Sequence, residues 1–317
     1  MKKRLFLTTL FLVLFLAATA IMAVAAANYF FPLLFYPDLI AVKGVTGPSD
    51  VGIYLLDLHE RSTVRVTPRE ILAGSPTWSP DGQRLAFIYA TSLVAFDREE
   101  GIAVIDKDGS NLVYLFTQRR SPSLQIFLSD HLAWSPDGKQ LLFNGWIGEE
   151  PKLYLLTLDS GEVQPLDLSL GEIDHHGSPF AWSSQGVLAL ENEGKLYIVD
   201  METMQLTFLT EGEQPFWTPD GEWLTFRCNS DEWLFCRTTP DGEVQEVMPQ
   251  RPQSRIRYID SFSWSADERF IMFMDWGGES DPHYLSILDT KTGFIHRVYT
   301  FRPNDHIKFF DAVWPPR

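Results

Sequence analysis

Five arginines form a basic minority in an acidic sequence, and their side chains could bind anionic groups. They are Arg119, Arg120, Arg251, Arg255 and Arg257. A guanidinium presents a planar set of donors that matches a carboxylate or a phosphate, so these residues suit an acidic partner surface. The alternative interpretation is that they pair with acidic residues nearby in sequence and only keep the surface soluble.

The segment Asp174-His175-His176 comes nearest to a metal-binding pattern. Adjacent histidines on a strand point to opposite faces, so both could bind one ion only from an irregular loop. No second group of ligands stands at a diagnostic spacing from them. A solvated loop is the preferred interpretation, and we expect neither a metal nor another cofactor.

Trp146, Asp275 and Trp276 could add to a binding surface. The two indoles could serve as aromatic anchors for a partner, although packing within the fold explains them equally well. Asp275 would matter for catalysis only if it converged with His175, His176 and an arginine. The sequence therefore predicts no catalytic residue.

The first 37 residues differ in composition from the rest of the chain. Three cations at residues 2–4 precede an uncharged apolar stretch over residues 5–27, and no acidic residue occurs before Asp38. This stretch would make a helix of roughly 35 Å, long enough to cross a bilayer. A retained signal anchor over residues 1–37 is favoured, and a cleaved signal peptide ending near the alanines at 25–27 is the alternative.

The positive start of the chain also predicts where the remainder lies. With these cations held in the cytoplasm, residues 38–317 are expected in the periplasm or at the cell surface. The chain carries a formal charge of -16, and because three positive charges lie at its start, the remainder carries -19. Nucleic acid is a poor partner for such a field. An envelope or membrane protein is the expected partner, and a small-molecule ligand is left open.

Cys228 and Cys236 are the two cysteines of the chain, and they face each other across a predicted hairpin. An exported chain lies in an oxidising compartment, where a disulfide is stable. The distance between the two residues cannot be read from the sequence, so a disulfide and two buried thiols remain open. In either case we expect no redox chemistry.

A repeat organises residues 38–317. Each unit has a tryptophan, a turn that is recognisable in five of six copies and is Ser-Pro-Asp-Gly in its fullest form, an apolar strand, and a second hairpin that turns near an aspartate. Successive tryptophans are separated by 56, 48, 35, 47 and 50 residues, which is the length of a propeller blade. These tryptophans are Trp78, Trp134, Trp182, Trp217, Trp264 and Trp314.

The first and last parts of the repeat complete each other. The segment from residue 39 lacks a first strand, and the C-terminal FDAVWPP supplies one with nothing after it. We therefore predict an all-β, six-bladed propeller that the C-terminal strand closes by joining the first blade. The turns at residues 183–186 and 265–268 depart from Ser-Pro-Asp-Gly, and we expect them to be less tight.

The pattern W-S-P-D-G, an apolar strand, then L/I-Y-x-x-D resembles the WD40-like PD40 repeat of TolB-type six-bladed propellers. The resemblance covers residues 38–317 and is specific for the fold, but it says little about function. TolB proteins carry an α/β domain before the propeller and bind a peptidoglycan-associated lipoprotein. Here the expected anchor leads almost directly into the first predicted strand, so that partner is not carried over.

Some related propellers precede a serine hydrolase domain, as in the prolyl oligopeptidase and tricorn groups. The Gly-x-Ser-x-Gly elbow of such enzymes does not occur in the sequence. Loop lengths direct attention to one face instead, because the connections at 118–130, 169–178 and 249–260 are long while the opposite turns are short. We call these the long-loop face and the turn face, and we expect binding on the first.

The predicted function is that of a membrane-anchored binding or scaffolding module for another envelope protein. A related prediction is that the chain is a subunit of a larger membrane complex. The alternative from a different class is a lyase or hydrolase that acts on an extracellular glycan or lactone at the mouth of the propeller channel. The absence of a recognised catalytic motif favours the binding module.

Overall fold

The chain is described by a computed structural model over residues 39–47, 50–92, 98–119, 131–147, 150–168, 179–228, 235–243, 245–248, 258–276, 283–301 and 308–316. In these parts the strands form six antiparallel sheets of four strands each. The apolar stretch at residues 5–27 lies outside them. No helix within the described ranges is long and apolar enough to span a bilayer.

Each sheet is one blade, and its strands follow one another as a meander. Blade 1 consists of β24 (Lys308–Val313), β1 (Leu39–Gly47), β2 (Asp50–Asp57) and β3 (Ser62–Arg65). Blade 2 consists of β4 (Leu72–Trp78), β5 (Arg84–Ala90), β6 (Glu99–Asp106) and β7 (Val113–Arg119). Blade 3 consists of β8 (Leu132–Trp134), β9 (Gln140–Ile147), β10 (Glu150–Thr157) and β11 (Val163–Leu166).

The second half of the ring repeats this arrangement. Blade 4 consists of β12 (Phe180–Trp182), β13 (Leu188–Asn192), β14 (Lys195–Asp200) and β15 (Gln205–Glu211). Blade 5 consists of β16 (Glu213–Trp217), β17 (Leu224–Arg227), β18 (Phe235–Thr238) and β19 (Gln245–Val247). Blade 6 consists of β20 (Tyr258–Trp264), β21 (Phe270–Trp276), β22 (His283–Asp289) and β23 (Phe294–Phe301).

The first strands of the blades surround a central axis. Each of β24, β4, β8, β12, β16 and β20 contacts the corresponding strand of both neighbouring blades. The ring is closed by β24, which pairs with β1 so that Ala41 lies opposite Val313 and Lys43 opposite Phe310. The predicted six-bladed, all-β propeller and its closure by the C-terminal strand are confirmed.

The core lies between the blades rather than inside any one of them. Side chains of one strand alternate between its two faces, so each middle strand serves two interfaces. Leu141 and Phe143 of β9 pack towards blade 2, whereas Leu142 packs towards blade 4, and all three are fully buried. Burial of such a side chain contributes about 1.5–3 kcal/mol, which explains why these strands have continuous apolar runs.

A hydroxyl and a carboxylate shape the turn after the first strand in blades 2, 3, 5 and 6. In blade 3, Ser135 donates to the Asp137 carboxylate at 2.7 Å and accepts the Gln140 amide at 2.9 Å. Asp137 also accepts the Lys139 amide at 3.1 Å. The two side chains thus accept hydrogen bonds from backbone amides that have no partner in the strand, so the aspartate of the turn has a structural role.

The expectation that the turns of blades 4 and 6 are less tight is wrong. The amide at the fourth position donates to the carbonyl at the first at 2.9 Å for Gly138, 3.0 Å for Gly186 and 2.9 Å for Glu268. This bond depends on the backbone, and the fourth residue has a positive φ in all three turns: 68° in Gly138, 88° in Gly186 and 58° in Glu268. Glutamate adopts this conformation without glycine's freedom, at a cost of roughly 1 kcal/mol.

Candidate functional site

The tryptophans at the ends of the first strands form a girdle around the channel at the turn face. Three of them link neighbouring blades, because each indole NH donates to the carbonyl of the residue before the preceding blade's tryptophan. These bonds run from Trp78 to Val313 at 3.2 Å, from Trp134 to Thr77 at 3.2 Å, and from Trp217 to Ala181 at 3.0 Å.

Two tryptophans of the girdle use their indoles differently. The Trp264 indole NH donates to the Thr225 hydroxyl oxygen, 3.2 Å away in a second strand of blade 5. The Trp182 indole NH donates to the carbonyl of Gly186 in its own turn at 3.3 Å. Trp182 is also half-buried, while Trp134 and Trp264 are buried. It therefore presents more of its ring to the channel mouth.

A cavity of about 540 Å³ occupies this end of the channel. Every blade contributes its tryptophan to the wall, and prolines and phenylalanines make up seven of the other 17 lining residues. Asp220 and Glu268 supply the two carboxylates, and the described lining contains no Lys, Arg, His or Cys. The prolines and phenylalanines are Pro80, Pro136, Pro219, Pro315, Pro316, Phe216 and Phe262.

Side chains from the two unusual turns join blades 4, 5 and 6 at the cavity rim. Ser184 donates to the Pro219 carbonyl at 2.9 Å, and Gln185 donates to the Asp220 carbonyl at 2.8 Å. The Asp220 amide in turn donates to the Glu268 carboxylate at 3.0 Å. These contacts fix three neighbouring turns in one arrangement, so this side of the rim is preorganised.

The folded chain favours the charged form of three turn aspartates, Asp81, Asp137 and Asp220. The hydroxyl of Ser79 lowers the pKa of Asp81, and that of Ser135 lowers the pKa of Asp137. Burial alone would raise the pKa of Asp220, but hydrogen bonds from the Thr218 hydroxyl and a backbone amide outweigh it and lower the pKa. The turn face is accordingly an anionic surface.

Most of the residues predicted for the long-loop face have no described side chain. Arg120, His175, His176, Arg251, Arg255 and Arg257 lie outside the described residues. Arg119 ends β7, Trp146 lies near the end of β9, and Trp276 ends β21, each followed by a segment outside the described ranges. Their use in binding stays a prediction.

Asp275 is the one predicted binding residue whose side chain is described. It is fully buried in β21 and accepts from Arg297 of β23 at 3.1 and 3.2 Å, and Ser286 lies 3.5 Å away. Burial raises the pKa of this carboxyl, and the Arg297 cation opposes that shift. The Arg297 guanidinium also lies over the Tyr284 ring at 3.9 Å. Asp275 thus belongs to the body of blade 6 and is not part of the cavity wall.

Cys228 and Cys236 form a disulfide in the structure, with their Cα atoms 5.6 Å apart. Cys228 directly follows β17, and Cys236 lies in β18 opposite Phe226. The bridge therefore holds together the two middle strands of blade 5. Within the described part of the chain, no group of three or more His, Cys, Asp or Glu is arranged to hold a metal ion.

The girdle could have been found from the sequence, but its role as a cavity wall was missed. The recurring tryptophans were interpreted as markers of the repeat, and the loops of the opposite face were given the binding role because of their length. The recurring tryptophan, followed two residues later by proline in four of the six copies, was the available signal, since a ring of first strands must bring equivalent residues of all blades to one end.

A scan of the sequence against protein-family models finds no match. A curated relative, the uncharacterized peptidase YuxL of Bacillus subtilis (strain 168), is 27% identical over 189 residues. The match takes in 57% of this chain but only 25% of that protein. The chain thus spans about a quarter of this relative's length.

Several solved structures share the fold. TolB from Acinetobacter baumannii has a TM-score of 0.62 and 17% identity, over 93% of this chain and 71% of that chain. A putative TolB from Agrobacterium tumefaciens has a TM-score of 0.58 and 14% identity, over 86% of this chain and 99% of that chain. A puromycin-hydrolyzing peptidase of Mycobacterium tuberculosis has a TM-score of 0.56 and 14% identity, over 82% of this chain and 44% of that chain. The predicted resemblance is confirmed for the fold: this chain forms a six-bladed β-propeller of the TolB type.

Proposed function

We propose that this chain is a protein-binding module of the cell envelope and that its partner inserts a polypeptide segment into the tryptophan-lined cavity. The cavity carries the proposal, because it combines all six blades in one concave apolar site. Protein interfaces gain most of their affinity from a few side chains that fill such pockets. A rigid ring is suited to this role, since little order has to be created on binding.

Trp182 is the wall residue best placed to contact a partner. Its ring is half-buried, and its indole NH is bonded within its own turn rather than to the preceding blade. Contact with a partner would remove further apolar surface from water without breaking a link between blades. We therefore assign it the role of an aromatic anchor.

Attachment to the membrane is the second part of the proposal and rests on the sequence of residues 1–37. The uncharged stretch at residues 5–27 would anchor the propeller, and the cations at residues 2–4 would keep its start in the cytoplasm. The measurement is the mass of the mature chain from membranes. A mass that includes Met1 is expected, whereas a chain that starts near Asn28 would mean a cleaved signal and a propeller without an anchor.

An enzymatic role for the same cavity has less support. Its described wall offers Asp220 and Glu268 as acids, and both carboxylates already accept hydrogen bonds within the turns. A general base must have a carboxylate oxygen within hydrogen-bond reach of the proton that it removes from the substrate. This chain matches the two peptidases over only 25% and 44% of their lengths, so their names lend little support to an enzymatic role here.

The binding role can be tested by photo-crosslinking in intact cells. A photoreactive amino acid at exposed Ser184, on the cavity rim, should yield a discrete adduct with a partner protein. The same group at exposed Thr207, on the outer strand of the same blade, should not. Trp182→Ala should abolish the adduct at residue 184, and Phe208→Ala, which removes an exposed aromatic ring from β15, should leave it unchanged.

The result that would overturn the proposal is an adduct that survives Trp182→Ala or forms equally from residue 207. Such a result would mean that the cavity is not where the partner binds. If neither position yields an adduct while the chain is folded and located in the envelope, the binding role itself is contradicted.

A further inference from the structure

The cavity stands beside a sector of the turn face that carries only negative charge. The turns of blades 4 and 5, at residues 183–188, 200–205, 218–223 and 238–243, contain six carboxylates and neither lysine nor arginine. All six residues are exposed. This acidic sector consists of Asp200, Glu202, Asp220, Glu222, Asp241 and Glu243.

The other turns of this face are more balanced in charge. Blade 2 has Arg84 and Lys107 in its turns, and blade 3 has Lys139. Blade 6 likewise has Arg269 and Lys291. The negative potential on the turn face is therefore concentrated over blades 4 and 5. Within blade 5, the Arg237 guanidinium lies over the Trp223 ring at 4.3 Å and offsets part of this charge.

The folded chain favours the charged form of the three aspartates in the sector, Asp200, Asp220 and Asp241. Backbone amides of Glu202 and Thr203 lower the pKa of Asp200, and the hydroxyl of Thr239 lowers the pKa of Asp241. The three glutamates contribute to these turns through their backbone, because the backbone amide of each donates to the aspartate two residues earlier. Their charges can be removed without removing a turn hydrogen bond.

The acidic sector adjoins the apolar cavity where blades 4 and 5 meet. Asp220 belongs to both, and Trp182 is the half-buried wall residue in the adjoining blade. A ligand that reached the cavity from this side would pass carboxylates before its apolar part met indole and proline surface. Aromatic faces attract cations as well, so both parts of the site favour positive charge.

From this complementarity we propose that the occupant of the cavity is a basic segment of a partner polypeptide, with an apolar side chain flanked by lysine or arginine. This rests on the proposed binding function and adds the chemistry of the ligand. The apolar side chain enters the tryptophan-lined cavity, and the flanking cations lie over blades 4 and 5. The arginines of the long-loop face, by contrast, were predicted to bind an acidic partner surface.

The experiment uses three peptides and the full chain in lipid nanodiscs, so that no free detergent competes for the cavity. The peptides are acetyl-Lys-Leu-Pro-Leu-Lys-amide and its counterparts with glutamine or glutamate in place of lysine. Calorimetry should rank their affinities as basic, then neutral, then acidic, with about a tenfold step from basic to neutral at low salt. The step should shrink as salt is added, because exposed charges are screened.

Matched variants test whether the acidic sector causes this preference. The triple change Glu202→Gln, Glu222→Gln and Glu243→Gln should weaken the basic peptide by about tenfold and leave the neutral one unchanged. The control Glu60→Gln, Glu162→Gln and Glu211→Gln removes the same net charge at exposed sites outside the sector and should have little effect.

The outcomes separate this inference from the function on which it rests. Equal binding of all three peptides, or equal effects of the two triple variants, would overturn the inference and leave the cavity as a binding site. Failure of every peptide to bind the unaltered chain would count against the cavity itself, and against both proposals. Binding that Trp182→Ala does not weaken would place the peptide elsewhere.

Discussion

The tryptophans of blades 3 and 4 end equivalent strands, but they have different surroundings. Trp134 is 6% exposed, and its indole NH donates to Thr77 of the preceding blade. Trp182 is half-buried, and its indole NH donates to Gly186 in its own turn. The same repeat residue can thus either link two blades or expose part of its ring, and only the exposed ring is available to the proposed partner.

The largest expected effect in this comparison concerns the two indoles themselves. Trp134→Ala removes a buried ring and a link between blades, and should lower the free energy of unfolding by about 3–5 kcal/mol. Trp182→Ala should lower it by less, about 1–2 kcal/mol, since part of that ring already faces water and its indole NH bonds within its own turn. Urea denaturation of both variants measures the difference. Equal losses would mean that the two tryptophans have the same structural role.

A second comparison uses the serines that follow these tryptophans. Ser135 is buried and bonds to both Asp137 and the Gln140 amide, so Ser135→Ala should cost about 2 kcal/mol. Ser183 is equally buried but accepts only the Val187 amide in its turn, so Ser183→Ala should cost about 1 kcal/mol. Urea denaturation again gives both values, and a larger loss for Ser183→Ala would contradict this account.

The two turns should also differ in their response to acid. Because the folded state lowers the pKa of Asp137, its stabilising effect is present above about pH 4 and is lost as the pH falls through the lowered value. The difference in stability between the unaltered chain and Asp137→Asn should therefore close at low pH. Gln185→Asn, at the equivalent position of blade 4, has no carboxylate to titrate and should show a difference that does not depend on pH.

The smallest change in stability is expected when Gln185 of blade 4 is replaced by aspartate, the residue at the equivalent position 137 of blade 3. Gln185→Asp supplies a carboxylate for Ser183 but removes the hydrogen bond to the Asp220 carbonyl in blade 5. These two changes oppose each other, so the free energy of unfolding should stay within about 0.5 kcal/mol. Thermal unfolding measures it, and a gain above about 1 kcal/mol would show that the contact between the turns contributes little.

The sequence predicted the blades and their closure because those depend on local residues that recur. The tryptophan recurs in all six copies, and a turn that follows or resembles Ser-Pro-Asp-Gly marks the start of the next strand in five of them, whatever lies beside them. The unpaired segment at each end of the chain then required one partner. Ring closure followed from counting strands.

The features of the site depend on distances between blades, which the repeat does not encode. Ser184 and Gln185 contact the turn that lies 35 residues further along the chain, and Arg297 reaches Asp275 across an intervening strand. The acidic sector likewise becomes visible only when the turns of blades 4 and 5 are placed side by side. Loop length was the guide used to choose a binding face, and it indicated the opposite one.

Closure by β24 also has a consequence for how the chain is made. Its partner β1 is synthesised about 270 residues earlier, which at about 5–20 residues per second is a delay of roughly 15 to 55 s. During that interval one edge of β1 has no strand beside it and can pair with another nascent chain. Misassembly of the newborn protein should therefore begin at blade 1, and a folding helper would have its greatest effect by shielding that edge.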